Sequence, residues 1–354
     1  MDIYSLEPHE LMKSMRSRIE SELERFFEEQ SETRLDDVCM DVRNRIMEFT
    51  MNGGKRLRPM LVVIGHDLFT EHSDLIYRAA ISIELTQSYL LIHDDIMDQS
   101  ETRRGKPSLH AALREQLKTR VSDSSRMSQN LAIVAGDLAD SYAHQSLLDS
   151  GMRPDLLLSA NMELSRIIEM TGYGQLIDIE SAFNEKFGQR DLLRLHILKT
   201  AKYTIEGPLY MGALLSGTSE NLKPLKYYGM LLGTAFQLHD DILGLYGNEQ
   251  ETGKSIKSDV NEGKKTLLML KAMELCSDTQ KKFIMECLKS GNISDSDFHK
   301  LRDLVKESGS YDYSRNMMNR MISKSKEYLS EVRGEPRIKK FLEWFADYIV
   351  ERKS

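Results

Sequence analysis

The sequence predicts an all-α fold, a bundle of long helices. Three observations carry this. Apolar residues recur at spacings of three and four, the period of a helix face, along most of the 354 residues. Only 7 prolines and 21 glycines interrupt them, which favours long unbroken elements. No run of residues alternates apolar and polar as a half-buried strand does. Such a chain buries its apolar stripes helix against helix. A composition 40% hydrophobic and 29% charged is ordinary for a globular protein with a real core. The length exceeds that of most single domains, but no flexible linker divides the chain, so one domain over 1–354 is expected.

The first clear stripe is 74–98, DLIYRAAISIELTQSYLLIHDDIMD, where Leu75, Ala79, Ile83, Leu90 and Met97 fall near one line. The pattern returns over 128–149, 155–171, 190–216 and 225–246, and then over 265–276, 279–289, 296–308, 311–331 and 337–351. Breaks are read at NGGKRLRP (52–59), RRGKP (103–107), VSDSSRMS (121–128), SGMRP (150–154), EGP (206–208) and 247–264. The serine-rich 121–128 reads as an exposed, mobile loop.

A net charge of -7 argues against a nucleic-acid partner. Cys39, Cys276 and Cys287 form no CxxC and read as incidental thiols in a reducing compartment. The N-terminus lacks the basic start and apolar core of a signal peptide. No apolar run approaches the ~18 residues of a membrane span. The expected location is the cytoplasm.

Two segments share wording: LIHDDIMD (91–98) and QLHDDILG (237–244). On a helix, Asp94 and Asp98 share a face, with Asp95 about 100° around. Unpaired, they repel. A hard divalent cation removes the repulsion, and Mg²⁺ takes one or two carboxylates and completes its shell with water and phosphate oxygens. The second segment offers Asp240 and Asp241, with Gly244 where a third carboxylate would stand. If the two helix ends face each other, they form a bowl able to hold several Mg²⁺ ions. A lone DDxxD is more often a solvated helix end. Its repetition, each time behind an apolar helix and a His, favours metal.

Basic residues alternate with these acids. Lys55, Arg56 and Arg58 follow a glycine pair that lets backbone approach a ligand. Arg103 and Arg104 follow the first aspartates, and Lys254, Lys257, Lys264 and Lys265 the second. The alternation suits a polyanion bridged by Mg²⁺ and clamped by Arg and Lys, diphosphate above all. There is no P-loop motif.

These pieces, with AGD (135–137), GQLID (174–178) and KT (199–200), resemble the trans-isoprenyl diphosphate synthases (polyprenyl synthases), most strongly over 50–270. The resemblance implies an isoprenoid-synthase fold, helices around a deep central cavity, and a homodimer. It implies Mg²⁺-assisted condensation of isopentenyl diphosphate with the allylic dimethylallyl, geranyl and farnesyl diphosphates. Asp94 and Asp98 should then ligate two Mg²⁺ ions with Asp95 in support, and Asp240 a third with Asp241 assisting. Arg103, Lys199, Lys254 and Lys264 should hold the allylic diphosphate, and Lys55, Arg58 and Arg104 isopentenyl diphosphate. Thr200 and Gln237 should turn oxygen dipoles toward the developing cation.

There are departures from the family pattern. Gln87 stands where a His is usual, which weakens the expected grip on isopentenyl diphosphate. Gly244 replaces the last Asp of the second motif and should loosen its helix. The chain between His110 and Gly136 is longer than usual, around 118–127.

One helical turn rises ~5.4 Å, close to one extended isoprene unit, so a bulky residue a turn before Asp94 acts as a floor. Tyr89 and Leu90 occupy that level. A single aromatic at the fifth position before the motif resembles archaeal-type short-chain geranylgeranyl diphosphate synthases, which implies a C20 product, with C15 (farnesyl) the runner-up. A class I terpene cyclase is disfavoured because 240–248 lacks that class's second metal pattern. A weakly active or regulatory partner subunit is the remaining rival, on the strength of Gln87 and Gly244.

Overall fold

The three-four spacing is realised nearly everywhere. The computed structural model describes residues 3–31, 36–248 and 256–351, and these are helices joined by short turns. The chain gathers into two units, Met1–Leu164 with Pro208–Ser219, and Ser165–Gly207 with Glu220–Ser354.

The first unit holds α1 (Pro8–Ser31), α2 (Asp37–Met51), α3 (Leu57–Asp67), α4 (Leu75–Met97), α5 (Leu109–Leu117), α6 (Ser124–Leu148) and the start of α7 (Pro154–Ser181). In α1, Leu11, Met15, Ile19, Leu23 and Phe26 make one buried stripe. Each large apolar side chain so buried contributes roughly 1.5–3 kcal/mol. Helix α4 is buried around nearly its whole circumference from Ile76 to Thr86, the mark of a core helix. It packs on α6, α3 and α1. Charges that enter this core are paired: Arg78 donates to Glu22 (3.3 Å) and to Glu29, and Arg56 donates to Glu84.

The second unit is centred on α10 (Lys223–Tyr246). Against it lie a π-helix (His196–Glu206), which continues α8 (Gln189–Leu195), and a long later helix. The π-helix runs on into α9 (Gly207–Leu215), which from Pro208 onward belongs to the first unit. Then come α11 (Ser258–Asn261), α12 (Leu267–Leu275), α13 (Asp278–Lys289), α14 (Asp295–Glu307), α15 (Ser310–Glu331), which is that long helix, and α16 (Pro336–Glu351). No described helix is long and apolar enough to cross a membrane.

Four details differ from the sequence reading. The helices α1 to α3, α5 and the short α11 had no counterpart in it. The EGP stretch does not break the chain, because Pro208 falls in the first turn of α9, where a missing N–H is tolerated. The 121–128 loop is shorter than expected: Asp123 accepts from the Arg126 N–H (3.0 Å) and caps α6, which starts at Ser124. Finally, RRGKP is an antiparallel hairpin, β1 (Thr102–Arg103) paired with β2 (Lys106–Pro107). Its two central residues, Arg104 and Gly105, both have positive φ (52° and 75°), as in a type I′ turn.

Candidate active site

In the first unit the C-terminal turns of α4 carry the first motif. Gln87, Asp94 and Asp98 lie seven and four residues apart and share one face. Asp94 is half-buried and Asp98 exposed at the helix end, where its N–H bonds the Asp94 carbonyl (2.8 Å). Asp95 points elsewhere. It is fully buried, and its Oδ1 accepts from Arg103 Nε (2.9 Å) and from a second Arg103 nitrogen. Burial raises the Asp95 carboxyl above its ordinary range, although Arg103 pulls it down. Burial works against the Arg103 charge, but Asp95, Asp94 and Asp98 outweigh it and hold the guanidinium above its usual value. Asp95 therefore fixes Arg103 beside the Asp94–Asp98 face.

The next residue of the hairpin turns to a different task. Arg104 Nη1 donates to the carbonyls of Asn52 (3.1 Å) and Gly53 (2.9 Å). Its guanidinium lies over Gly54, where a Cβ would meet it at 3.3 Å. Gly53 and Gly54 have φ of 72° and 113°, conformations only glycine adopts freely. Burial, and with it the charges of Arg56, Arg58 and Arg103, holds the Arg104 pKa below its usual value. Arginines crowded this way are relieved by an anion. Lys55 and Arg58, both half-buried, flank the start of α3. Arg56, between them, is core: its side chain is inaccessible and donates to the Thr50 carbonyl (2.9 Å) and to Glu84.

Tyr89 lies on the α6 side of α4. Its ring meets His93 edge-on at 5.0 Å, and burial together with Asp140 and Asp137 of α6 raises its phenol pKa. The His93 Nε2 is 3.0 Å from the Ile133 carbonyl. Leu90 is half-buried, nearer the Asp94 face.

In the second unit the π-helix and α10 carry the rest. Lys199 Nζ donates to Asp178 on α7 (2.6 Å). The two backbones meet at Gly174, where a Cβ would lie 2.5 Å from the Lys199 nitrogen. Thr200 Oγ1 donates to Gln237 Oε1 (2.8 Å), and Gln237 Nε2 donates to Asp241 Oδ1 (3.0 Å). Asp241 is buried, and its Oδ2 accepts no hydrogen bond, with His196 Nε2 at 3.4 Å. Burial pushes the Asp241 carboxyl up to about 7, against Lys264 and Gln237, and pushes His196 down to about 3. Lys264 donates to Asp259 (3.1 Å). Burial opposes its charge, but Asp259 and Asp241 prevail and raise its pKa. Wide π turns recur at functional sites, and this one delivers Lys199 and Thr200 together.

The donor sets fit a hard divalent cation. Asp94 and Asp98 are oxygen donors one turn apart, and Asp241 Oδ2 is an acceptor buried without a hydrogen-bond partner. Among the described residues no three or more His, Cys, Asp or Glu gather into one metal cage. Mg²⁺ does not require one, since water and substrate phosphate fill its shell.

Asp241 makes a testable contribution to stability. Its folded pKa of about 7 lies above the ordinary value of 3.8, so between the two the folded state binds an extra proton, and the stability this group contributes falls as pH rises from about 3.8 to about 7 and then levels off. His196, lowered from 6.5 to about 3, acts in the opposite sense over that range, so the comparison with a variant rather than the native slope alone isolates Asp241. In the chelator-treated protein, melting should therefore slope more steeply downward between about pH 4 and 7 than in Asp241→Asn, and the two slopes should agree above about pH 8. An unchanged slope would remove Asp241 as its source.

The structure thus groups Asp94, Asp98, Asp95 and Arg103 on one side of the hairpin, and Arg104 with Arg58 on the other. It groups Thr200, Gln237 and Asp241 separately. Lys254 lies outside the described residues. Sequence reasoning gave no role to Asp178, His196 or Asp259. Asp178 sat inside the quoted motif GQLID and Asp259 inside the lysine-bearing stretch 247–264, and that was their only signal.

A family model described as polyprenyl synthetase matches residues 41–305. The geranylgeranyl diphosphate synthase of Sulfolobus acidocaldarius is 33% identical over 307 residues, 86% of this chain and 88% of that protein. A geranylfarnesyl diphosphate synthase of Natronomonas pharaonis is 31% identical over 85% of this chain and 86% of that one. Among solved structures, a geranylgeranyl pyrophosphate synthase from Corynebacterium glutamicum, complexed with isoprenyl diphosphate and magnesium, superposes with a TM-score of 0.88 at 30% identity, covering 96% of this chain and 98% of that one.

Proposed function

The chain belongs to the polyprenyl synthetase family and is a divalent-metal-dependent short-chain trans-prenyltransferase, and from that premise we propose that it makes geranylgeranyl diphosphate. Its substrates in this reading are isopentenyl diphosphate and the dimethylallyl, geranyl and farnesyl diphosphates. The observation that carries it is the end of α4. Two carboxylates are presented one turn apart, and a buried third, Asp95, clamps Arg103 beside them.

In the reaction the allylic C–O bond breaks and diphosphate leaves with the bonding pair. The double bond of isopentenyl diphosphate attacks the allylic cation, a C–C bond forms, and a proton is lost, with the departing diphosphate as its acceptor. Magnesium, three ions in this reading, supplies charge neutralisation for the leaving group. The side chains bind and orient. Asp94, Asp98 and Asp240 hold the metal, with Asp95 and Asp241 fixing their neighbours. Arg103, Lys199, Lys264 and Lys254 take the allylic diphosphate. Lys55, Arg58 and Arg104 take isopentenyl diphosphate, with Gln87 as a neutral donor. Thr200 and Gln237 present oxygen dipoles to positive charge. No side-chain nucleophile is needed.

Tyr89 and Leu90 set the product length. The relatives named for C20 synthesis support this reading, and those named for geranylfarnesyl synthesis make a longer product the alternative. Tyr89→Ala should lengthen the product, read by chromatography, and an unchanged product would remove Tyr89 from the role. The whole chain acts as one synthase in the cytoplasm, without nucleic acid. It pairs as a homodimer, for which exposed Ile133, Val134 and Leu138 on α6 and Leu158 and Met162 on α7 offer apolar surface.

The test incubates the purified chain with labelled isopentenyl diphosphate, Mg²⁺ and each allylic primer in turn. A C20 product is expected. C15 or C25 would overturn the length assignment alone. No incorporation with any primer would favour a non-catalytic partner subunit.

A further inference from the structure

The second motif lacks its third carboxylate, because position 244 is glycine. The structure shows what occupies that space. A Cβ built on Gly244 would lie 2.3 Å from Asp259 Oδ2, far inside contact distance. The carboxylate of a residue fifteen positions later therefore rests on the bare backbone of α10. Its other oxygen, Oδ1, accepts from Lys264 Nζ (3.1 Å), and the Asp259 carbonyl accepts from the Lys264 N–H (2.9 Å).

The segment that delivers Asp259 is tied down on several sides. Val260 is buried, Asn261 Oδ1 accepts from the Ile293 N–H (2.8 Å), and Lys257 donates to Asp295. The carboxylate therefore arrives at a fixed place. An independent observation marks that place as a charge site. One turn before Gly244 on α10 are Asp240 and Asp241, and Asp241 Oδ2 is buried without a hydrogen-bond partner.

We propose that Asp259 supplies, from the loop after α10, the carboxylate that position 244 lacks, and that it acts as the positioning residue for Lys264. It adds negative charge to the Asp240–Asp241 end of the helix. It also holds the Lys264 ammonium by both backbone and side chain, so that the lysine meets a diphosphate instead of folding onto the metal-bearing carboxylates. Gly244 is then a requirement of this arrangement rather than a loss. The proposal rests on the metal role given above to the second motif.

The test measures Mn²⁺ binding to the full-length protein in the presence of inorganic diphosphate, by electron paramagnetic resonance, alongside KM and kcat. Asp259→Asn keeps the size of the side chain and an acceptor for Lys264. It should weaken Mn²⁺ binding by about tenfold, the lower end of the effect of removing a partner outside the metal's own ligands. KM for isopentenyl diphosphate should stay near native. The swap Gly244→Asp with Asp259→Gly returns a carboxylate to the helix and should bind Mn²⁺ more tightly than Asp259→Gly alone. A purely structural Asp259 would shift melting without moving Mn²⁺ affinity.

Native affinity in Asp259→Asn, with loss in Asp240→Ala, would overturn the Asp259 assignment alone. A swap no tighter than Asp259→Gly would overturn it as well. No loss even in Asp240→Ala would overturn the metal role of the second motif beneath it. Should one variant fail to fold, the other decides.

Discussion

Asp94→Ala is expected to abolish most turnover while leaving the fold intact. Asp94 and Asp98 are the carboxylates that α4 presents on one face, and a metal held there neutralises the leaving diphosphate. Removing one preorganised electrostatic group of this kind lowers kcat by roughly 10²–10³-fold. Stability should change little, because Asp94 is only half-buried, near the end of α4. KM for isopentenyl diphosphate should also hold, since Arg104 hangs from the Asn52 and Gly53 carbonyls, away from the α4 carboxylates. Single-turnover kinetics with farnesyl diphosphate, together with a thermal melt, check this. Near-native turnover in a folded variant would sink the metal reading of α4. Asp95→Ala should behave differently. It leaves Arg103 without its carboxylate partner, so it should lose both stability and turnover.

That contrast marks what the sequence could and could not reveal. Most helices from α4 onward, α5 and α11 excepted, followed from spacing alone, because packing against a core imposes a period on the residues that touch it. The acidic and basic runs were legible because diphosphate chemistry needs many charges close together, and such runs survive as local words. What stayed hidden was the direction in which each member of a run points. Asp94 and Asp95 are adjacent letters, yet one faces outward and the other is locked on Arg103. Asp259 escaped notice for another reason. It fills the gap at Gly244 through space, and a glycine in a motif reads as a lost carboxylate until the neighbour resting on it is seen. The EGP stretch misled because proline breaks a helix interior but not a first turn, and sequence alone does not say which turn it occupies.

The basic run GGKRLRP gives the second large effect. Its three cations look equivalent in sequence, but Arg56 should behave as a core residue. Its side chain is inaccessible, pairs with buried Glu84 and donates to the Thr50 carbonyl. Arg56→Met strands the Glu84 charge, and breaking a buried pair from one side costs about 3–5 kcal/mol. Urea unfolding should show that loss. Lys55→Ala and Arg58→Ala should unfold near the native midpoint and instead raise KM for isopentenyl diphosphate roughly tenfold or more, the value of a hydrogen bond to a charged group. If Arg56→Met unfolds like the native protein and raises KM, the assignments of the run are reversed. The double replacement Arg56→Met with Glu84→Leu sharpens the point. Removing both partners leaves no stranded charge, so it should recover much of the stability lost in the single variant. A double variant no more stable than Arg56→Met would mean that the packing of the arginine stem, rather than its charge pairing with Glu84, holds the start of α3.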